Sequence, residues 1–314
     1  MTQRRSMTWI STVVGALLAV ALATAPASAR QRVIQVHPGP NAIQDALDPA
    51  HAGDVLNLHS GVYRVPDGLV VDKGVVVRSA GDGTVTIDGR CKVGYTIHVT
   101  ASNVRLRGLR VVGAAEGSDP FPAEVHFFGV QTGEVSGSVA VDTCKDGSGD
   151  GGAEYGISVF SSGPIQVVGN ETYGFTDSGI YIGAISDTGN GTLRVQDNVT
   201  HSNARGVIVE DSSASIAVVG NRMFHNQRSG VEGSINAGLF LHNSDGVRIR
   251  DNTIANDDEN GIWLDPDSAN NRVVGNTISG HHADIRNDGT GNCFTGNTFT
   301  THAGKHNGDI GHAC

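Results

Sequence analysis

Gly206-Val-Ile-Val-Glu210, Gly238-Leu-Phe-Leu-His242, Gly261-Ile-Trp-Leu-Asp265 and Asp284-Ile-Arg-Asn-Asp288 are four versions of one segment. Two earlier segments match them, Gly156-Ile-Ser-Val-Phe160 and Gly179-Ile-Tyr-Ile-Gly183. A Gly-Asn or Asp-Asn pair follows each segment: Gly169-Asn170, Asp197-Asn198, Gly220-Asn221, Asp251-Asn252, Gly275-Asn276 and Gly296-Asn297. The segments start 23, 27, 32, 23 and 23 residues apart. A period in the twenties, with short apolar alternation and Gly/Asn turns, is the signature of a β-solenoid. The longer intervals are the same turn with an inserted loop.

Working outward, the first 29 of the 314 residues read as an export signal. Arg4 and Arg5 form a basic start, Val13 to Leu22 an apolar core, and Ala27-Ser-Ala29 a small-residue cleavage site. The mature chain is expected to begin at Arg30, and residues 30–314 to form one solenoid domain. Residues 30–65 would be its N-terminal cap and first coil, and residues 293–314 a disulfide-tied tail. No later stretch is apolar for the ~20 residues that spanning a membrane takes. The net charge of −10 argues against a nucleic-acid partner, and against an anionic partner unless a cation bridges. The expected partner is a polysaccharide in a secreted or periplasmic setting, with the oligomeric state left open.

Four cysteines, an even number in an exported chain, point to disulfides. Of three possible pairings, Cys91–Cys144 with Cys293–Cys314 is favoured, because the second would pin the tail. Glycine is abundant at 43 residues, as expected where turns need backbone tolerant of positive φ. Asn41 is expected to N-cap a short helix with Ile43, Ala46 and Leu47 on one face, laid across the open end of the solenoid.

Ala42-Ile-Gln-Asp-Ala-Leu, Gly53-Asp-Val-Leu and Gly61-Val-Tyr63, followed by Val85-Thr-Ile-Asp-Gly89 and Asn103-Val-Arg-Leu-Arg107, resemble the entry segment and first coils of right-handed parallel β-helix proteins of the pectate-lyase-like superfamily. The resemblance covers nearly the whole mature chain. It implies an all-β, single-stranded right-handed parallel β-helix with an N-terminal capping helix. It leaves the activity open, because the superfamily includes lyases, epimerases, hydrolases and non-catalytic members.

Alternate residues of a β-coil face in and out. With Ile262 and Leu264 inside, Ser158, Tyr181, Ile208, Phe240, Trp263 and Arg286 fall on one outward row. Phe160, Gly183, Glu210, His242, Asp265 and Asp288 fall on the other. Tyr181, Phe240 and Trp263 are then candidate sugar platforms with Arg286 beside them, and a covered stripe is the competing reading. Glu210 and Asp265, two rungs apart, suit the carboxyl separation of an inverting glycosidase. For β-elimination or epimerisation of a uronate, His242 would be the base, with Asp265 and Asp267 holding a cation.

Comparison with the superfamily's motifs narrows this. The Asn-x-Asp, Gly-His-Gly and Arg-Ile-Lys set of polygalacturonases is missing. Leu264-Asp-Pro-Asp267 is similar to the Asp-Pro-His of mannuronan epimerases, but Asp267 stands where their His would be. The first expectation is a polysaccharide lyase or uronate epimerase. The alternatives are an inverting hydrolase and a non-catalytic carbohydrate-binding or metal-handling scaffold.

Calcium is the only cofactor the sequence suggests. Asp146, Ser148 and Asp150 open like a calcium loop, but its twelfth position is Ile157 rather than a bidentate Glu, which favours a solvated connector. Copper handling has one source: the superfamily includes a periplasmic accessory protein of copper-site assembly whose repeats look similar. His201, His225, His281, His282 and His302 follow the Asn turns, with His306 and His312 in the tail. Their spacing matches solvated turn residues better than ligands. The Asn series is expected to be structural, bonded rung to rung.

Overall fold

The computed structural model describes residues 31–115, 121–144, 152–227, 236–310 and 313–314. The expected export signal and the Asp146, Ser148 and Asp150 segment lie outside these residues.

The repeat winds the chain through three parallel sheets in turn. Sheet A has eleven described strands from Val33–Val36 to Cys293–Thr295, sheet B nine from Gly61–Arg64 to Thr277–Ser279, and sheet C ten from Leu69–Val71 to His302–Ala303. Every strand pairs in parallel with its equivalents one coil away. The fold is therefore the right-handed parallel β-helix that the resemblance implies, the hand that a parallel crossover takes.

The interior is built by like stacking on like. Ile157, Ile180, Val207, Leu239, Ile262 and Ile285 are cross-strand neighbours in one inward row and are almost fully buried. Each coil thus buries its apolar face only against the coils on either side.

The corners explain the two dipeptide signals. Asn170, Asn198, Asn221, Asn252, Asn276 and Asn297 form one continuous ladder between sheets A and B. Asn221 Oδ1 accepts from the backbone N–H and the Nδ2 of Asn198, both at 2.9 Å. Its own Nδ2 donates to Val195 O at 2.8 Å and to Asn252 Oδ1 at 3.0 Å. The residue before each Asn has positive φ, from 53° at Asp197 to 68° at Gly220 and Gly275. Gly or Asp fills it because both tolerate that region.

The glycine near the start of the middle sheet C strands has a different cause. Gly206 and Gly261 do not take positive φ. A Cβ at Gly206 would strike Gly238 O, and one at Gly261 would strike Ile278. These glycines permit close approach across a corner, and turn geometry accounts only for the others.

Two local expectations are corrected. Asn41 makes no side-chain cap; it takes a left-handed conformation at φ 52° before the helix Ala42–Leu47, which buries Ile43 and Leu47. His281 is a buried residue rather than a solvated turn one. Its Nδ1 lies 2.9 Å from Asp284 Oδ1 and its Nε2 3.2 Å from Asp257 Oδ2. Burial opposes its charge, but the two carboxylates outweigh burial and raise its pKa. Asp257 in turn ends a second corner ladder, Asn203–Asn226–Asp257. Cys91 is bonded to Cys144 and Cys293 to Cys314.

Glu124 sits at the same inward position as the strand-opening glycines and is wholly buried. Thr96 Oγ1 donates to its Oε2 at 2.7 Å, and Ala114 N donates to the carboxyl as well. Burial, with nearby Asp142 adding to it, raises its pKa from 4.5 to about 8. A raised folded-state pKa contributes stability that is complete below the unfolded value and is lost as pH rises through the folded one. Thermal stability should therefore fall between about pH 5 and 9, and Glu124→Gln should flatten that part of the Tm profile. In the Asn ladder, Asn221→Ala strands several buried polar groups at once. It should cost on the order of 3 kcal/mol or more in denaturant unfolding.

Candidate functional site

The exterior of sheet C carries the rows expected from alternation. Ser158, Tyr181, Ile208, Phe240, Trp263 and Arg286 are successive register partners. Phe160, Gly183, Glu210 and His242 are partners in the second row. Backbone bonds from Asp265 N to Leu241 O and from Asp288 N to Leu264 O carry that row past the strand ends.

The aromatic side chains differ from the expectation in one respect that matters chemically. Trp263 stacks on Phe240 with centroids 4.3 Å apart, and Tyr181 on Tyr155 at 4.5 Å. Arg286 lies over Trp263 at 5.0 Å and Arg205 over Phe240 at 5.7 Å. Tyr181, Phe240 and Trp263 are all less than a tenth exposed. Side chains one rung apart, at about 4.8 Å, are spaced to stack on each other. These rings therefore spend their faces on neighbouring rungs and present edges to solvent. Trp263 Nε1 also donates to Asp288 Oδ2 at 2.9 Å, and Arg286 Nε donates to the same oxygen at 2.7 Å. Arg286 is thereby engaged in a clamp on the Trp.

Over this wall run two adjoining recesses. One, of about 560 Å³, is lined among others by Glu154, Asp177, Arg205, Glu210, His242 and Asp265. The other, of about 530 Å³, is mostly aromatic and includes Tyr95, His98, His126, Phe128 and Phe160. Phe121, Tyr155, Tyr181 and Glu210 line both, so they form one groove. At the aromatic end, burial and the neighbouring His98 lower the pKa of His126 to about 4, which keeps it neutral.

At the polar end, three residues from consecutive coils meet. His242 Nδ1 lies 2.6 Å from Asp265 Oδ2, and His242 Nε2 lies 3.8 Å from Glu210 Oε1. An ionised carboxylate only accepts, so Nδ1 donates and Nε2 turns to the groove. Asp265 is buried, and its Oδ1 accepts from Ser268 Oγ at 2.7 Å and from Asn243 N and Asp267 N at 3.2 Å each. The buried Asp265 thus orients a half-exposed imidazole whose other nitrogen meets solvent beside a carboxylate. Arg205 is the groove's arginine, and its Nη1 donates to Asp177 Oδ1 at 2.6 Å.

This changes the roles expected of the acids. Both oxygens of Asp265 accept hydrogen bonds from its own neighbourhood. Asp267 contributes its backbone N–H and leaves its side chain exposed outside the groove. Glu154, Asp177, Arg205 and Tyr155 were missed in the sequence. Strict alternation places Tyr155 inside, but the corner at Gly156 breaks the alternation and turns it outward.

A three-sheet parallel β-helix with an external groove defines the class. The family model described as periplasmic copper-binding protein (NosD) matches residues 129–308, more than half of the chain, and the chain belongs to that family. Among solved structures it is similar to pectate lyase Pel9A, at 13% identity and TM-score 0.57, covering 86% of this chain and 77% of that one. It is also similar to tailspike protein 2 of Escherichia coli O157:H7 bacteriophage CAB120, at 13% identity and TM-score 0.58, covering 83% of this chain and 38% of the tailspike. The periplasmic alginate epimerase AlgG matches at 10% identity and TM-score 0.50, covering 86% and 81%. At such identities the likeness shows the fold. No curated protein sequence matches the chain.

Trp263→Ala should cost about 3–5 kcal/mol, because it removes a large buried ring together with its hydrogen bond to Asp288. The measurement is denaturant unfolding, compared with Phe128→Ala, whose side chain is about half exposed and should cost far less.

Proposed function

We propose that this protein is exported and acts on a polysaccharide in the groove of sheet C, with His242 as its acid–base centre. The observation that carries the reading is the Asp265–His242 pair, which aims Nε2 into the groove beside Glu210. An imidazole held in one tautomer by a buried carboxylate is pre-set to take or give a proton. Export rests on the N-terminal signal and on two disulfides, which persist in oxidising compartments.

Two reactions fit. In elimination or epimerisation of a uronate, His242 Nε2 takes the proton α to the carboxylate, and Arg205 is the nearby positive charge for that carboxylate. In hydrolysis of a neutral glycan, Glu210 and His242 supply acid and base to the glycosidic oxygen and water. The groove's charge decides between them. Glu154, Asp177, Glu210 and Asp265 outnumber Arg205, and Arg205 is already paired with Asp177. A polyuronide therefore needs an added divalent cation to enter, whereas a neutral glycan does not.

The family description raises copper. Among the described residues no three His, Cys, Asp or Glu side chains converge on a metal-sized site, and all four cysteines are in disulfides. The described residues do not fit a copper centre, and copper enters no step here.

Polyuronides with and without calcium, read by the ultraviolet absorbance of unsaturated products, test elimination. Reducing ends released from neutral glycans test hydrolysis. His242→Ala should lower whichever turnover is found at least 100-fold, and Asp265→Asn should lower it by a similar factor through loss of the tautomer. Unchanged turnover in both variants would place the chemistry elsewhere.

A further inference from the structure

The charges of this acidic protein are sorted by face. The chain has 32 acidic and 22 basic residues. The eleven strands of sheet A nevertheless carry seven arginines and a single carboxylate, Glu134. All seven point outward, where alternation places them opposite the inward Val, Ile and Leu positions. The other acids near this sheet sit at its corners, as Asp197, Asp245 and Asp251 do.

The arginines fall into two groups. Near the N-terminal end, Arg107 makes a two-pronged pair with Glu134, at 2.9 and 2.7 Å, and Arg105 adds a longer contact at 3.8 Å. That group is partly neutralised within the sheet. In the second group Arg250 pairs with Asp251 at 3.2 Å, and Arg194, Arg248 and Arg272 remain. Gln166, Arg194, Ala217, Arg248 and Arg272 are register partners on five successive strands. Arg248 and Arg272 stand directly opposite each other, a like-charge pairing that destabilises a sheet. Arg248 reaches back across Ala217 and donates to the hydroxyls of Ser215 and Thr192, at 2.9 and 3.3 Å. No carboxylate lies within ion-pair distance of Arg194, Arg248 or Arg272 among the described residues. The small Ala217 leaves a gap in the row between Arg194 and Arg248, about 10 Å apart across two rungs.

We infer that this face is a second binding surface, for a linear anionic polysaccharide carrying carboxylate or sulfate groups. Arginine forks match planar oxyanions with two hydrogen bonds. The row sets three such forks along about 14 Å of the sheet. Neutral side chains interleave with them, among them Gln166, Gln196, Thr192 and Ser215, and these suit sugar hydroxyls. Among the described residues, the strands of sheet A carry no outward aromatic side chain on which nucleic-acid bases could stack. This surface is independent of the groove on sheet C. It would hold the protein on an acidic glycan while the acidic groove admits an uncharged or cation-covered segment.

The test is binding of the mature protein to immobilised polygalacturonate, dextran sulfate, uncharged dextran and duplex DNA over a range of salt. Both acidic glycans should bind, dextran should not, and affinity should fall steeply with salt. The variant R194Q/R248Q/R272Q should bind both acidic glycans at least ten-fold more weakly with a shallower salt dependence. Its Tm should be equal or higher, since a like-charge repulsion is removed. The groove variant E210Q/H242N should bind as the parent does. Unchanged affinity in the arginine variant, equal retention on dextran, or tighter binding of DNA would overturn the inference. Loss of binding in E210Q/H242N alone would do the same, by placing the polyanion in the groove.

Discussion

Every feature of this molecule follows from the interval between one coil and the next. Parallel strands lie about 4.8 Å apart, and a side chain on one coil meets its equivalent on the next at that distance. The constraint is strict at the corners, where backbone groups leave the sheet ladders and need partners. The Asn series meets it with one residue type, each amide accepting from the coil before it and donating to the coil after. The ladder works only if its neighbours agree, which is why the preceding residue is Gly or Asp.

The same interval shapes the outer wall. Rings placed at one position in successive coils are at stacking distance, so an exterior aromatic row closes on itself. Phe240 with Trp263 is such a pair; Tyr155, whose register partner is Ser178, reaches Tyr181 from three residues along, and arginines cover two of the remaining ring faces. Aromatic residues on a β-helix exterior can thus serve as wall rather than platform. The polar row beside them behaves differently, because charges at that spacing form hydrogen-bonded chains. In Glu210, His242 and Asp265 the buried end holds the imidazole by a hydrogen bond, and the open end faces the groove with Glu210 at ion-pair range.

The solenoid also separates charge without any domain boundary. Residues a few positions apart land on different sheets, so a chain with an overall negative charge presents an acidic groove on sheet C and an arginine row on sheet A. Net charge alone argues against any anionic partner. The face-by-face distribution reverses that argument for one side of the molecule, because screening limits charge effects to about 8 Å at physiological salt.

The fold was legible in the sequence because its cause is local and repeated. The period, the Gly/Asp-Asn pairs and the alternation of inward Ile, Leu and Val report the coil directly, and the register of His242 beside Glu210 follows by counting. The rest depended on three dimensions. Tyr155 lies outside because the corner at Gly156 interrupts strict alternation. Asp257, Asp284 and His281 lie 24 and 3 residues apart in sequence, and only winding makes them one buried group. Asp267 reads as a ligand beside Asp265, but the turn points its side chain to solvent and spends its N–H on Asp265 instead. Sequence alone determined the coil, since each repeat carries its own instructions. The tertiary structure decided which exposed groups stay available, since that depends on what the adjacent coils have already claimed.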